Sequence, residues 1–207
     1  MTMAEPVIPR GLWEERFSTE AYLFGTDPNE FLRDSVAMLP AGSVLCLAEG
    51  EGRNAVFLAE RSYDVHSVDL ASAGVAKTLR LAEQRGVEVD AVAGDLEMFD
   101  IGTDRWDAIV SIFAHMPPHV RRGLHARVVA ALKPGGVFLL EAYTPAQVGR
   151  GTGGPSTGET TMTLGALSDE LAGLEFLHAV EIDRDVIEGP GHTGVGSVVQ
   201  IIARKPA

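Results

Sequence analysis

Two glycines and one acid carry the strongest chemical signal in this chain. Gly50 and Gly52 follow a short apolar run, Val44, Leu45 and Leu47, and Asp69 closes a second run, Tyr63 to Val68. Asn54 to Glu60 between them has helical composition, so Ser43 to Asp69 reads as strand, glycine loop, helix, strand and acid. In an open parallel sheet, ligands bind beyond the carboxyl ends of the strands, where glycines admit close backbone approach and a helix start offers free N–H groups. One carboxylate ending the second strand can accept from both vicinal hydroxyls of a ribose. The segment therefore predicts a nucleotide cofactor. Because Gly50-x-Gly52-x-x-Ala55 also satisfies the degenerate dinucleotide fingerprint, this segment alone leaves the choice of cofactor open.

The elements that must hold this site follow from the rest of the chain. Asp27-Pro28-Asn29-Glu30 carries an N-cap, a proline at the first helical position and a Glu three residues after the cap, with Phe31, Leu32, Val36 and Leu39 as the buried face. Pro40-Ala41-Gly42 ends that helix. Ser72 is placed to cap a helix whose Val75, Ala76, Leu79 and Ala82 recur at helical spacing until Gly86. Val87, Val89 and Ala91 alternate as a third strand leading into Gly94-Asp95-Leu96, and Trp106 to Phe113 makes a fourth. Val120, Leu124 and Val128 mark a helix ending at Lys133-Pro134-Gly135-Gly136, and Val137 to Ala142 is a strand buried on both faces. Thr144 to Thr163, rich in Gly and Thr, reads as a mobile surface loop. Leu164, Leu167, Leu171 and Leu174 suggest a last helix before two strands, Phe176 to Asp185 and Ser197 to Arg204, which the short connection makes antiparallel neighbours.

This is the pattern of an α/β fold: a single doubly wound, mostly parallel seven-stranded sheet with an antiparallel closing strand. At 207 residues the chain suits one domain. It divides into an N-terminal helical lid segment (1–42), a cofactor-binding core (43–143), a flexible loop (144–163) and a closing helix with strands (164–207). Upstream, Trp13, Phe17, Tyr22 and Phe24 gather aromatics that either cover the cofactor or plug the sheet edge.

Composition narrows the partners. With 29 acidic against 17 basic residues and a formal charge of -12, the field repels phosphate backbones, so no nucleic acid is expected. No apolar run reaches the roughly 18 to 20 residues of a membrane span, and Met1 to Arg10 lacks the core of a secretion signal, so no membrane partner and a cytoplasmic location are expected. The single cysteine, Cys46, excludes an intramolecular disulfide and a cysteine-rich metal site, and its strand position predicts a buried thiol.

In the order of these motifs the chain resembles the class I S-adenosylmethionine-dependent methyltransferases. The family has a glycine-rich first turn, acids after the second and third strands, an Asp opening the fourth, a Pro-Gly-Gly turn before the fifth and an antiparallel terminal pair. Gly50 and Gly52, Asp69, Asp95, Asp107 and Lys133-Pro134-Gly135-Gly136 match in that order. Trp13-Glu14-Glu15-Arg16-Phe17, Tyr22-x-x-Gly25 and Gly50-Glu51-Gly52-Arg53-Asn54 look like the small bacterial tellurite-resistance and thiopurine-methyltransferase branch, which implies a soft sulfur, selenium or tellurium acceptor.

The resemblance implies S-adenosylmethionine as cofactor, S-adenosylhomocysteine as product and a small-molecule methyl acceptor as partner. It assigns Asp69 with Leu70 to the ribose side, Asp95 with Leu96 to the adenine, and the backbone around Ala48, Gly50, Gly52 and Asn54 to the methionine end. Two positions depart from the family: Cys46 stands where an acid usually holds the methionine ammonium, and Ala48 where a first glycine is usual. Alanine fits there if its φ stays negative, and Glu49 or Glu51 could supply the missing charge. The acceptor should approach from the ends of the fourth and fifth strands, where His115 is the candidate base and Phe113, Glu141 and Tyr143 line the site. His192, in Gly189-Pro190-Gly191-His192, is read as an exposed hairpin tip, with a fold back over the pocket as the alternative. No metal is implied, since Phe113-Ala114-His115 stands where catechol-type relatives carry magnesium-holding carboxylates. The rival readings are a nicotinamide-dependent oxidoreductase and a non-catalytic cofactor-binding module.

Overall fold

In the computed structural model, residues 11–207 are described. The expectation about a secretion signal in Met1 to Arg10 lies outside them. The parallel strands are β1 (Ser43–Leu47), β2 (Asp64–Asp69), β3 (Asp90–Ala93), β4 (Trp106–Ile112) and β5 (Leu132–Tyr143). The long pair β6 (Glu175–Glu188) and β7 (His192–Arg204) completes a seven-stranded sheet of order β3-β2-β1-β4-β5-β7-β6. β7 runs antiparallel to β6, as their short connection requires, and also to β5.

Alternation along β1 shows how both faces are covered. Leu45 and Leu47 join the core beneath α5 (Pro118–Ala131) and α6 (Leu164–Glu170), with Ile109, Leu124, Phe138 and Leu167. Val44 and Cys46 join the opposite core beneath α2 (Glu30–Ser35), α3 (Arg53–Ala59) and α4 (Ser72–Arg85), with Leu32, Val56, Leu81 and Leu139. Successive strand side chains point to opposite faces, so a strand apolar at every position is one buried on both sides. α1 (Gly11–Phe17) packs on α4, at the end of the sheet where the parallel strands finish.

Several details depart from the sequence reading. The cap of α2 is Asn29, whose Oδ1 accepts from Leu32 N–H at 2.9 Å, so the helix starts two residues after Asp27-Pro28 would start it. α4 buries Gly74, Lys77, Thr78, Leu81 and Ala82 and leaves Leu79 exposed. Its packed face is rotated because Gly74 must sit against the glycine loop: a Cβ there would lie 2.5 Å from Gly50 O. The 144–163 connection is packed rather than free. Gln147 is buried, its Nε2 donates to Gly153 O at 2.8 Å, and Met162 N–H donates to Tyr143 O at 2.9 Å. No helix among the described residues is long and apolar enough to cross a membrane.

Candidate active site

The loop between β1 and α3 carries the first part of the site. Gly50 and Gly52 both have positive φ, 67° and 94°, and Gly52 has no room for a side chain because a Cβ would lie 2.6 Å from Thr78 Cα. Ala48 also takes a left-handed φ of 50°, so the expectation that alanine is accommodated by negative φ is corrected. The chain turns here as the family's glycine would turn, with the strain a Cβ imposes.

Asp69 closes β2 and turns back onto this loop. Its Oδ2 accepts from Gly50 N–H and its Oδ1 from Ala71 N–H, both at 2.8 Å, and burial raises its pKa above the usual carboxylate value. Each carboxylate oxygen has a second lone pair for a ligand hydroxyl.

The two loop acids have separate fates. Glu51 is buried: Oε1 accepts from Lys77 Nζ at 2.6 Å, and Oε2 accepts from Leu23 N–H at 2.8 Å. Glu49 caps α3 through one oxygen, Oε1, which accepts from Asn54 N–H and Ala55 N–H at 2.9 and 2.8 Å. The thiol of buried Cys46 lies against the same carboxylate, and burial with this neighbour drives its pKa up. Desolvation pushes Glu49 to about 7, against the pull of those backbone donors and Arg53. Among the groups this cradle offers, Glu49 is the partly exposed acid closest to the position that Cys46 has neutralised. Asn54 has a supporting task, since its Oδ1 accepts from Asn29 N–H at 2.9 Å. Further along the edge, Asp95 Oδ1 accepts from Glu97 N–H, Leu96 is buried and Leu70 is partly open to solvent.

The aromatic segment covers this end of the sheet and does not plug its edge. Phe17 lies over the loop, so a Cβ on Gly50 would meet its ring at 3.2 Å. Trp13 stacks on Phe17 at 5.4 Å, and Phe24 closes the group at 6.5 Å from Phe17. Glu14 accepts from Ser72 Oγ at 2.9 Å, and Tyr22 faces the Lys77 ammonium at 5.2 Å from the ring centroid. Glu51 thus fastens both the segment and α4 to the glycine loop.

Past β4 and β5 the predicted acceptor residues do converge. Phe113 lies 4.5 Å from Tyr143 and 4.8 Å from His192, and Phe24 lies 4.5 Å from His192, all between ring centroids. His192 is buried, which corrects its reading as an exposed tip: the hairpin folds inward onto Phe24, and a Cβ on Gly191 would meet that ring at 2.5 Å. His115 donates from Nδ1 to Thr160 O at 3.0 Å and accepts at Nε2 from Tyr143 N–H at 3.4 Å. Burial lowers it to about 4, and both nitrogens face backbone, so in this arrangement it holds the 144–163 connection and has no lone pair for an acceptor proton.

Glu141 belongs to a buried polar network that sequence reasoning missed. It takes Arg184 Nε at 2.8 Å, Gln200 Nε2 at 2.7 Å and Asn29 Nδ2 at 2.6 Å. Asn29 Nδ2 also donates to Glu188 at 2.8 Å, and Arg53 Nη2 donates to the same carboxylate at 2.6 Å. The pairings span from 43 to 159 residues, so local spacing carries no trace of them. No cluster of three or more potential metal ligands occurs among the described residues.

The donor set fits S-adenosylmethionine: an acid for ribose hydroxyls, a partly exposed acid for an ammonium, and a glycine backbone for close approach. Residues 44–136 match the family described as a methyltransferase domain. Among solved structures, the chain is similar to a protein studied in the conversion of a disulfide bond into a thioacetal group during echinomycin biosynthesis. That pair is 17% identical over 93% of this chain and 88% of the other, with a TM-score of 0.75. TehB from Haemophilus influenzae is 20% identical over 95% of this chain and 66% of its own, at a TM-score of 0.72. An S-adenosylmethionine-dependent methyltransferase from Methanosarcina mazei is 18% identical over 87% and 99%, at 0.68. At such identities the likeness is one of fold. Hemagglutinin 1 of Eikenella corrodens is 29% identical over 120 residues, 52% of this chain, and the chain spans 40% of that curated relative's length. The methyltransferase domain matched over residues 44–136 and the fold shared with solved S-adenosylmethionine-dependent methyltransferases support a methyltransferase with S-adenosylmethionine as its cofactor.

Proposed function

We propose that the protein methylates a small molecule at a soft sulfur, selenium or tellurium atom. The observation that carries this reading is the enclosed aromatic group of Phe24, Phe113, Tyr143 and His192 at the ends of β4 and β5. It is bounded by the N-terminal segment on one side and the β6–β7 hairpin on the other, a setting that suits a small acceptor rather than a polymer. The engaged nitrogens of His115 support the choice of atom. A hydroxyl acceptor calls for a base, whereas a thiol near pKa 8.5 reaches its thiolate at small cost and an anionic chalcogen needs no base.

The bound cofactor supplies a methyl group on a sulfonium that is already an activated leaving group. The work left to the chain is to hold reactants in line. Asp69 would accept from the ribose hydroxyls, Leu70 and Leu96 would flank the base, and Asp95 would accept from its amino group. The turn through Ala48, Gly50 and Gly52 would lie along the methionine end, where Glu49 would face the ammonium. Trp13, Phe17 and Tyr22 exclude water from above. An acceptor entering as its thiolate, having left its proton in solvent before it is enclosed, would take the methyl group with the thioether as leaving group.

Calorimetric titration with S-adenosylmethionine and S-adenosylhomocysteine, with NAD and NADP as controls, tests the cofactor half. Micromolar binding of the sulfonium pair alone is expected. A screen of thiols, selenite and tellurite for methylated product then tests the acceptor half. Cofactor binding without turnover on any soft acceptor would replace this reading with a non-catalytic module.

A further inference from the structure

Three buried polar atoms stand without a hydrogen-bond partner among the described residues: Arg53 Nη1, Tyr143 Oη and His192 Nδ1. Their residues are 7%, 0% and 6% exposed. Buried polar groups are almost always bonded, so each exception asks for an explanation. Here the three share one neighbourhood. Arg53 Nη2 lies 2.6 Å and His192 Nδ1 3.6 Å from the same oxygen of Glu188, and the His192 ring stands perpendicular to Tyr143 at 5.3 Å.

The surrounding carboxylates are already spoken for. Glu188 Oε2 takes Arg53 and Oε1 takes Asn29, while Glu141 is matched by Arg184. A guanidinium nitrogen can only donate, and a phenol and an imidazole N–H can donate beside it. The complement to such a set is an oxygen acceptor, and a guanidinium favours one that is planar and anionic. The same spot has apolar walls in Phe24 and Phe113. Phe113 is held at a φ of 52°, a conformation unusual for a bulky side chain and of the kind that concentrates at functional sites.

We infer that Arg53, Tyr143 and His192 anchor a carboxylate or related small oxyanion on the methyl acceptor, with Phe24 and Phe113 against its apolar part. This rests on the proposed function in one respect, that the occupant is the acceptor. The site makes the substrate an anionic small molecule and gives Arg53 a role beyond its pair with Glu188.

The test is calorimetry on the protein loaded with S-adenosylhomocysteine, titrated with benzoate, benzamide and selenite. Benzoate or selenite is expected to bind at least tenfold more tightly than benzamide. Equal binding of benzoate, selenite and benzamide, or binding of none of them, overturns the site. Tyr143→Phe removes only an unbonded hydroxyl, so it should fold with an unchanged or raised Tm, weaken the preferred anion about fivefold and leave S-adenosylhomocysteine affinity intact. Unchanged anion affinity in that variant counts against the inference. Arg53→Lys, which keeps the charge on Glu188 but loses the planar fork, should abolish the preference for benzoate over benzamide. Comparing thiosalicylate with thiophenol as acceptors separates the two readings. Anion binding with neither thiol methylated overturns the proposed function and keeps the site, whereas equal turnover of both keeps the function and overturns the site.

Discussion

Glu49 and Asp69 at one end of this site and Glu188 at the other are electrostatically opposite. At the glycine loop, Glu49 is pushed by burial to about 7 and Asp69 is raised in the same direction, both with backbone N–H groups as their bonded partners. Beneath the hairpin, burial acts on Glu188 in the same sense, yet His192 and the Arg53 guanidinium outweigh it and hold the acid at about 2. At the loop, burial outweighs the backbone donors and the more distant pull of Arg53, whereas at the hairpin the adjacent Arg53 and His192 outweigh burial. A cation arriving at the loop would relieve a penalty the fold already bears, whereas the hairpin network is complete in carboxylates and short only of an acceptor for its spare donors. The difference separates a region poised to receive a cation from one whose carboxylates are already paired and whose spare donors await an acceptor.

The sharpest way to break the comparison is to remove an acid from the hairpin end. Glu141→Ala leaves Arg184, Asn29 and Gln200 facing a buried vacancy, and unpairing a buried charge costs about 3–5 kcal/mol. Denaturant unfolding should show that loss. A loss under about 1 kcal/mol would mean solvent reaches the network, and the distinction between the two ends would fail.

Next in size is a pH effect of opposite sign at the two ends. Glu49 keeps its proton in the native state to about 7, while the unfolded chain releases it near 4.5. Between those values the native state binds more protons, so this group's contribution to stability falls as pH rises, by about 3 kcal/mol at most. Glu188, held at about 2, gives stability that is present above its unfolded value near 4.5 and is lost as pH falls towards 2. Unfolding free energies measured from pH 4.5 to 7.5 should decline less in Glu49→Gln than in the parent. Matching slopes would show that Glu49 is solvated.

Asp69→Ala then probes the receiving end through its ligand. Losing charge-assisted hydrogen bonds should weaken S-adenosylhomocysteine by about 1.5–3 kcal/mol, read by calorimetry. An unchanged affinity would take Asp69 out of the cofactor site.

These two ends were unequally legible in the sequence. The loop end is local: strand, Gly50, Gly52 and Asp69 lie within 30 residues, and their order alone points to a nucleotide. The hairpin end is assembled from Asn29, Arg53, Glu141, Arg184 and Glu188, each unremarkable at its own position. Asp27-Pro28 carries as good a local cap signal as Asn29, yet Asn29 wins because its amide also serves Glu141 and Glu188. Lys77 sits on what reads as an exposed helix face until Glu51 is seen 2.6 Å away. His192 follows Gly-Pro-Gly, which signals a turn but not the inward fold that Phe24 gives it. Periodicity reports which face is apolar, and it is silent on charges buried in pairs.

The smallest effect tests how far the loop's shape, rather than its side chains, makes it receptive. Ala48 holds a left-handed φ of 50°, which costs a residue with a Cβ about 1–2 kcal/mol. Glycine relieves that strain, but it also frees the unfolded chain by about 0.4–1 kcal/mol. The Ala48 methyl packs against the core beneath α5, and that contact is lost as well. The terms nearly cancel, so Ala48→Gly should stabilise the protein by about 0.5 kcal/mol or less, seen as a small rise in the denaturant midpoint. S-adenosylhomocysteine affinity should not change, because the backbone already follows the path a glycine would take. A clear gain in affinity would show that the Cβ obstructs the ligand, and that the receiving end is shaped by side chains after all.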